Sequence, residues 1–139
     1  MSQALIDIFA AGFREYMKAF RERDYERAFA AVAPDVEWHL LRSFPEAGSV
    51  IRGREALIRF FVEGESAMSD WVLEPLEFID AGESCVVVHV RGHGHGRTTH
   101  IEGMLAFFQV HEVGSDGLIV RIREYERRED ALEATGLSE

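Results

Sequence analysis

The chain has 139 residues, 47% of them hydrophobic and 29% charged, which suits one soluble domain able to bury a core without disulfides or metal. Its formal charge of -10 argues against nucleic acid or an anionic membrane as partner, because both are polyanions. Cys85 is the only cysteine, so no intramolecular disulfide can form, and a buried, inert thiol is expected. No basic leader precedes the first apolar run, which carries Asp7, and no apolar run nears the roughly 18 residues that span a bilayer. A cytoplasmic protein is expected.

Residues 2–23 place Leu5, Ile8, Phe9, Gly12, Phe13, Tyr16, Met17 and Phe20 at helical spacing, with Ser2 as a candidate N-cap. Asp24 suits the N-cap of a short second helix over 25–32, which Pro34 stops. Residues 35–41 alternate as a strand, with Val36, Trp38 and Leu40 on one face and Glu37 and His39 on the other. Residues 43–50, with Pro45 and Gly48, read as a loop. Helical spacing returns over 53–68 through Leu57, Phe60, Phe61 and Met68.

Residues 71–79 form a strand that contains Pro75, which marks an edge. The stretch from Ser84 to Glu112 then reads as two long strands joined by a hairpin, and it holds five of the six histidines. The sequence Gly114-Ser115-Asp116-Gly117 is a turn, residues 118–125 a last strand, and 129–135 a terminal helix closed by Gly136. Without a repeat or linker, 1–139 is expected to be one domain. The order predicts an α+β fold, with helices stacked on a curved antiparallel sheet.

A hairpin turning between Gly96 and Arg97 sets His93 opposite His100, Arg91 opposite Glu102 and His89 opposite Met104. One face then presents His89, Arg91, His93, His95, His100 and Glu102, running into Met104, Ala106 and Phe108. The other presents Val86, Val88, Val90, Gly92, Gly94, Ile101, Gly103, Leu105 and Phe107. The apolar face is too large to leave wet. With the polar set on the concave side, a sheet-to-sheet homodimer through the outer face would cover it.

Several segments together resemble the SnoaL-like branch of the nuclear transport factor 2-like superfamily. They are YMKAFRERDYERAFAAVAPDVEWH, VIRGREALIRFF, the hairpin with RGHGHG, and the tail GLIVRIREYERREDALEATGL. The resemblance covers nearly the whole chain and implies a cone of curved sheet and helices around a pocket. It does not fix an activity, because the superfamily spans isomerases, dehydratases, epoxide hydrolases, polyketide cyclases and transport factors. Against ketosteroid isomerase, Tyr16 matches the oxyanion-donor tyrosine, but Leu40 and Ala106 stand where that family has its two aspartates. Steroid isomerisation by that mechanism is therefore not expected.

Histidine titrates nearest neutrality and serves as acid or base without large tuning. His89 or His93, oriented by Glu102 or Glu124, is the candidate proton carrier, with Tyr16 and Arg91 as candidate stabilisers of negative oxygen. The plainer alternatives are solvated hairpin histidines, a cross-strand Arg91–Glu102 ion pair and a core tyrosine. Trp38, Leu40, Phe60, Met104, Ala106, Phe108, Ile122 and Glu124 are the candidate pocket lining. Arg91 would oppose a cation held by His89, His93, His100 and Glu102, so no metal is expected. No cofactor is expected, and the alternating Gly92, Gly94 and Gly96 do not build a phosphate cradle. The expected function is small-molecule binding in an apolar pocket, with cofactor-free acid/base chemistry on a carbonyl-bearing substrate in view. The competing class is a non-catalytic dimeric ligand-binding or interaction module.

Overall fold

A computed structural model describes residues 2–40, 50–64, 68–96 and 102–136. Helix α1 (Ser2–Arg21) is followed by the single turn α2 (Tyr25–Ala28) and strand β1 (Val32–His39). Strand β2 (Val50–Arg52), helix α3 (Arg54–Gly64), strands β3 (Met68–Asp80), β4 (Cys85–Gly96), β5 (Glu102–Val113) and β6 (Ile119–Tyr125), and helix α4 (Arg128–Ala134) complete the chain. The strands form one six-stranded sheet in the order β2-β1-β6-β5-β4-β3. The architecture is the expected α+β arrangement of N-terminal helices on a curved sheet.

Four local expectations are adjusted. The second helix stops at Ala28, and the strand after it starts at Val32, before Pro34. Proline has no N–H to give a ladder, and the β1–β6 pairing is interrupted between Val32 and Glu37. Helix α3 ends at Gly64, so Met68 already belongs to β3. Strand β2 begins at Val50, the last residue of the expected loop 43–50, and its three residues are too few to show a period. The sheet is antiparallel except where β1 runs parallel to β6, the chain returning to its own first strand after four intervening ones. Pro75 does lie on an edge strand, β3, where the register against β4 shifts just beyond it.

The long hairpin carries the main correction. His95 pairs with Glu102, His93 with Met104, Arg91 with Ala106 and His89 with Phe108. The register is thus four residues away from the tight turn expected at Gly96–Arg97. Four is even, so the residues that share a face still share it, because side chains alternate with period two. The face turned inward is nevertheless the opposite one. Val86, Val88, Val90 and Phe107 are buried in a core with Phe9, Phe20, Phe29, Val36, Trp38, Leu57 and Ile122. The apolar stripe of α1 must leave water, and the branched, small side chains of this face are the surface it can cover most completely.

His89, Arg91 and His93 consequently lie on the outer face. There Val87, Phe108 and Val110 pack under α4 through Ala131 and Leu132. The apolar face is therefore covered by the chain's own helices, and its burial does not require a second copy. Among the described residues no helix is long and apolar enough to cross a membrane.

Candidate functional site

Helix α1 crosses the inner face of the sheet and leaves a cavity of about 150 Å³ beneath its middle. Ile8, Phe9, Gly12, Phe13 and Tyr16 form the helix wall. Ala28, Phe29, Ala31 and Val32 close one side, Leu73, Trp38 and Ile122 another. Gln109 and His111 of β5 supply the polar part of the lining. Ile8 is 66% exposed and Gly12 and Gly117 are exposed too, so this end is the mouth.

Behind the apolar wall runs a buried polar chain from β1 to β6 to β5. Trp38 Nε1 donates to Glu124 Oε2 at 2.8 Å, and Gln109 Nε2 donates to the same oxygen at 3.0 Å. His111 Nε2 lies 2.8 Å from Gln109 Oε1. Gln109 is 1% and His111 4% exposed, so these bonds stand in a low-dielectric interior. Phe9 and Phe13 meet the imidazole edge to face at 5.3 and 6.0 Å.

Burial pushes His111 down to about 3, so the ring is neutral at physiological pH. Its Nδ1 is buried and has no hydrogen-bond partner among the described residues. The Tyr16 hydroxyl is also buried without a hydrogen bond of good geometry. Burial raises its pKa, the nearby Leu73 backbone tempers that rise without completing a hydrogen bond, and the Glu124 charge adds to it. Tyr16 is thus a neutral hydroxyl.

Of the candidate residues, the structure places Tyr16, Trp38 and Ile122 on the cavity and Glu124 directly behind it. Leu40 is core, and Phe60 packs against Phe61 at 5.3 Å, away from the lining. His89, Arg91, His93, Ala106 and Phe108 stand apart from the cavity. His89 stacks flat on Phe108 at 4.3 Å, with the Arg128 guanidinium 5.3 Å from the same ring. Arg91 stands opposite Ala106 in the ladder, and the position opposite Glu102 is His95. Arg91 Nε donates to Glu74 on β3 at 3.0 Å, and His93 Nε2 lies 4.0 Å from the same carboxylate oxygen.

Ala106 pairs with Arg91 and is exposed, while Met104 and Glu102 occupy register positions opposite His93 and His95. The side chains of His95, Glu102 and Met104, and all of His100, lie outside the described residues. Among the described residues no group of three or more His, Cys, Asp or Glu side chains is placed to hold a metal.

Two site residues were missed, Gln109 and His111. The signal was present: Leu105 and Phe107 share their parity on β5, and continuing that alternation by two steps turns Gln109 and His111 to the same face. The expectation that Met104, Ala106 and Phe108 face the pocket leaves this parity on the outside.

An α+β cone with a small inner cavity, apolar except for a tyrosine hydroxyl and a glutamine–histidine pair, defines a pocketed member of the nuclear transport factor 2-like class. Residues 13–122 match the SnoaL-like domain, and the chain belongs to that family. A nuclear transport factor 2-like protein of unknown function from Burkholderia pseudomallei is similar, with 24% identity and a TM-score of 0.68, over 89% of this chain and 94% of that one. A Mycobacterium tuberculosis protein crystallised with estradiol-17β-hemisuccinate is 19% identical, with a TM-score of 0.70 over 86% and 93%. The Δ5-3-ketosteroid isomerase of a Mycobacterium species is 16% identical, with a TM-score of 0.68 over 88% and 94%. No curated protein sequence matches the chain.

Proposed function

We propose that the chain binds a small, largely apolar molecule in the cavity beneath α1. The observation that carries this reading is a wall of aliphatic and aromatic side chains that also includes Tyr16 and His111, each of which has a buried polar atom without a partner, Oη and Nδ1. Unpaired buried polar groups are costly and few in folded proteins, and a ligand polar group that meets them recovers that cost. A complex with estradiol-17β-hemisuccinate and a ketosteroid isomerase of the same fold support a small-molecule pocket. The cavity volume is near that of an engineered apolar cavity that holds benzene, so a single ring fits inside. A larger skeleton would project through the mouth past Ile8.

Acid/base chemistry of an isomerase, cyclase or dehydratase type on a carbonyl-bearing ligand is the second reading. The neutral Tyr16 hydroxyl favours it, because such a donor can stabilise a developing oxyanion. Proton abstraction would fall to Glu124, whose Oε2 already accepts two hydrogen bonds, or to His111, whose basicity burial has weakened. Both facts set binding ahead of turnover. A homodimer through the outer sheet face belongs to the same proposal, supported by exposed Ala106 beside half-buried Arg91 and His93. Sedimentation velocity tests it, and a monomer at all concentrations ends it.

The binding test uses calorimetry with toluene, phenol and benzaldehyde. Gly12 lies on α1 at the cavity mouth, with nothing within 4 Å of a Cβ built there. Gly12→Leu therefore adds bulk at the mouth from an unobstructed Cβ and improves the helix. Binding to the wild type, lost in a Gly12→Leu protein that unfolds at the same or higher temperature, is the expected result. Equal binding by both proteins would place the ligand elsewhere.

A further inference from the structure

The polar chain behind the cavity fixes which nitrogen of His111 carries the proton, and that in turn selects the ligand. Glu124 as a carboxylate only accepts, so the Gln109 amide must turn its NH2 toward Oε2, as the 3.0 Å contact has it. Trp38 Nε1, a group that can only donate, holds the same oxygen in the accepting role. Gln109 Oε1 is then an acceptor 2.8 Å from His111 Nε2, so Nε2 must be the protonated nitrogen. The ring is neutral. Its second nitrogen, Nδ1, is therefore a bare lone pair, buried, unpartnered, and part of a ring that lines the cavity.

Resting on the binding reading above, we infer that the ligand is a ring compound carrying a hydroxyl, an alcohol or phenol, whose O–H is donated to His111 Nδ1. A ligand whose polar atoms only accept, such as an ether, aldehyde or ketone, leaves Nδ1 unpaired and is selected against. Hydroxyl oxygen also accepts, so the same group has acceptor capacity for Tyr16 Oη, the other unpaired polar atom among the lining residues. A carboxylic acid is disfavoured because ionisation would put a second negative charge beside the Glu124 carboxylate in a low-dielectric site.

Matched probes separate this inference from the binding reading. In the wild type, phenol and benzyl alcohol should bind roughly tenfold tighter than anisole, benzaldehyde and toluene, from the burden of one unsatisfied buried acceptor. In His111→Phe that preference should fall to within about twofold. Nitrogen-15 NMR of the wild type covers the case in which His111→Phe does not fold. It should show a protonated Nε2 and a bare Nδ1, with Nδ1 moving upfield on adding phenol and not on adding anisole. Anisole and toluene binding as tightly as phenol overturns the hydroxyl requirement and leaves the binding reading standing, as does an Nδ1–H tautomer. No binding by any of the five probes overturns both.

Discussion

Acidification should act on this protein through His111. In the unfolded chain its imidazole has the ordinary pKa of 6.5, and in the folded chain burial pushes it down to about 3. The folded state therefore refuses a proton that the unfolded state takes up. Its stabilising contribution is whole above pH 6.5 and shrinks as pH falls below that value. The loss stops only when the folded-state pKa, near 3, is passed. With about 1.4 kcal/mol per pH unit per proton, lowering the pH from 7 to 5 should cost roughly 2 kcal/mol. The full window down to pH 3 would approach about 5 kcal/mol, near the whole stability of a small domain.

The assay is urea unfolding at pH 7, 6 and 5 for the wild type and for His111→Gln, whose amide keeps a donor near Gln109. Tyr16 and Glu124, the titratable groups of the same site, and the other histidines are common to both proteins and cancel in the difference. The wild type should lose roughly 2 kcal/mol more than the variant between pH 7 and 5. Parallel curves for the two proteins would refute a desolvated, neutral His111.

Three further outcomes follow from the same geometry. Tyr16→Phe removes a buried hydroxyl that lacks a partner, so the unfolding free energy in urea should stay level or rise, by up to about 1 kcal/mol; a comparable loss would mean that the hydroxyl is bonded in solution. Trp38→Phe takes a donor from the buried Glu124 carboxylate and should cost about 2–3 kcal/mol in chemical denaturation, with a loss below 0.5 kcal/mol arguing against that bond. Leu57 is fully buried in the main core, and Leu57→Ala should lower stability by about 2–5 kcal/mol in the same measurement, unless the site collapses around the deletion.

Much of this molecule is legible in local patterns. The spacing of Phe9, Phe13, Tyr16 and Phe20 belongs to a helix because residues three and four apart share its face, and α1 carries them so. Asp24 caps α2, its side chain accepting from the Arg27 N–H. Trp38 and Glu124 were read as facing inward from strand parity, and the structure joins them by a hydrogen bond between residues 86 positions apart. Parity groups the residues of β5 correctly but does not say which group turns inward, and the expectation that Met104, Ala106 and Phe108 face the pocket leaves Gln109 and His111 outside it.

The histidine cluster shows where local patterns end. Alternation states that His89, Arg91 and His93 share a face; it is silent about whether that face looks at helices or at water. The choice is made by α1, some seventy residues earlier, whose aromatic stripe is buried most completely against Val86, Val88, Val90 and Phe107. The hairpin register was beyond reach for a related reason, because an even shift leaves every alternation intact and is fixed by cross-strand packing and the length of the connection. By itself, then, the sequence determined the elements, the family resemblance and the residues that travel together on each face, since those depend on near neighbours. Only the tertiary structure decided which face encloses the cavity, and thereby that His111 rather than His89 or His93 borders it, since burial of apolar area is a property of the whole chain.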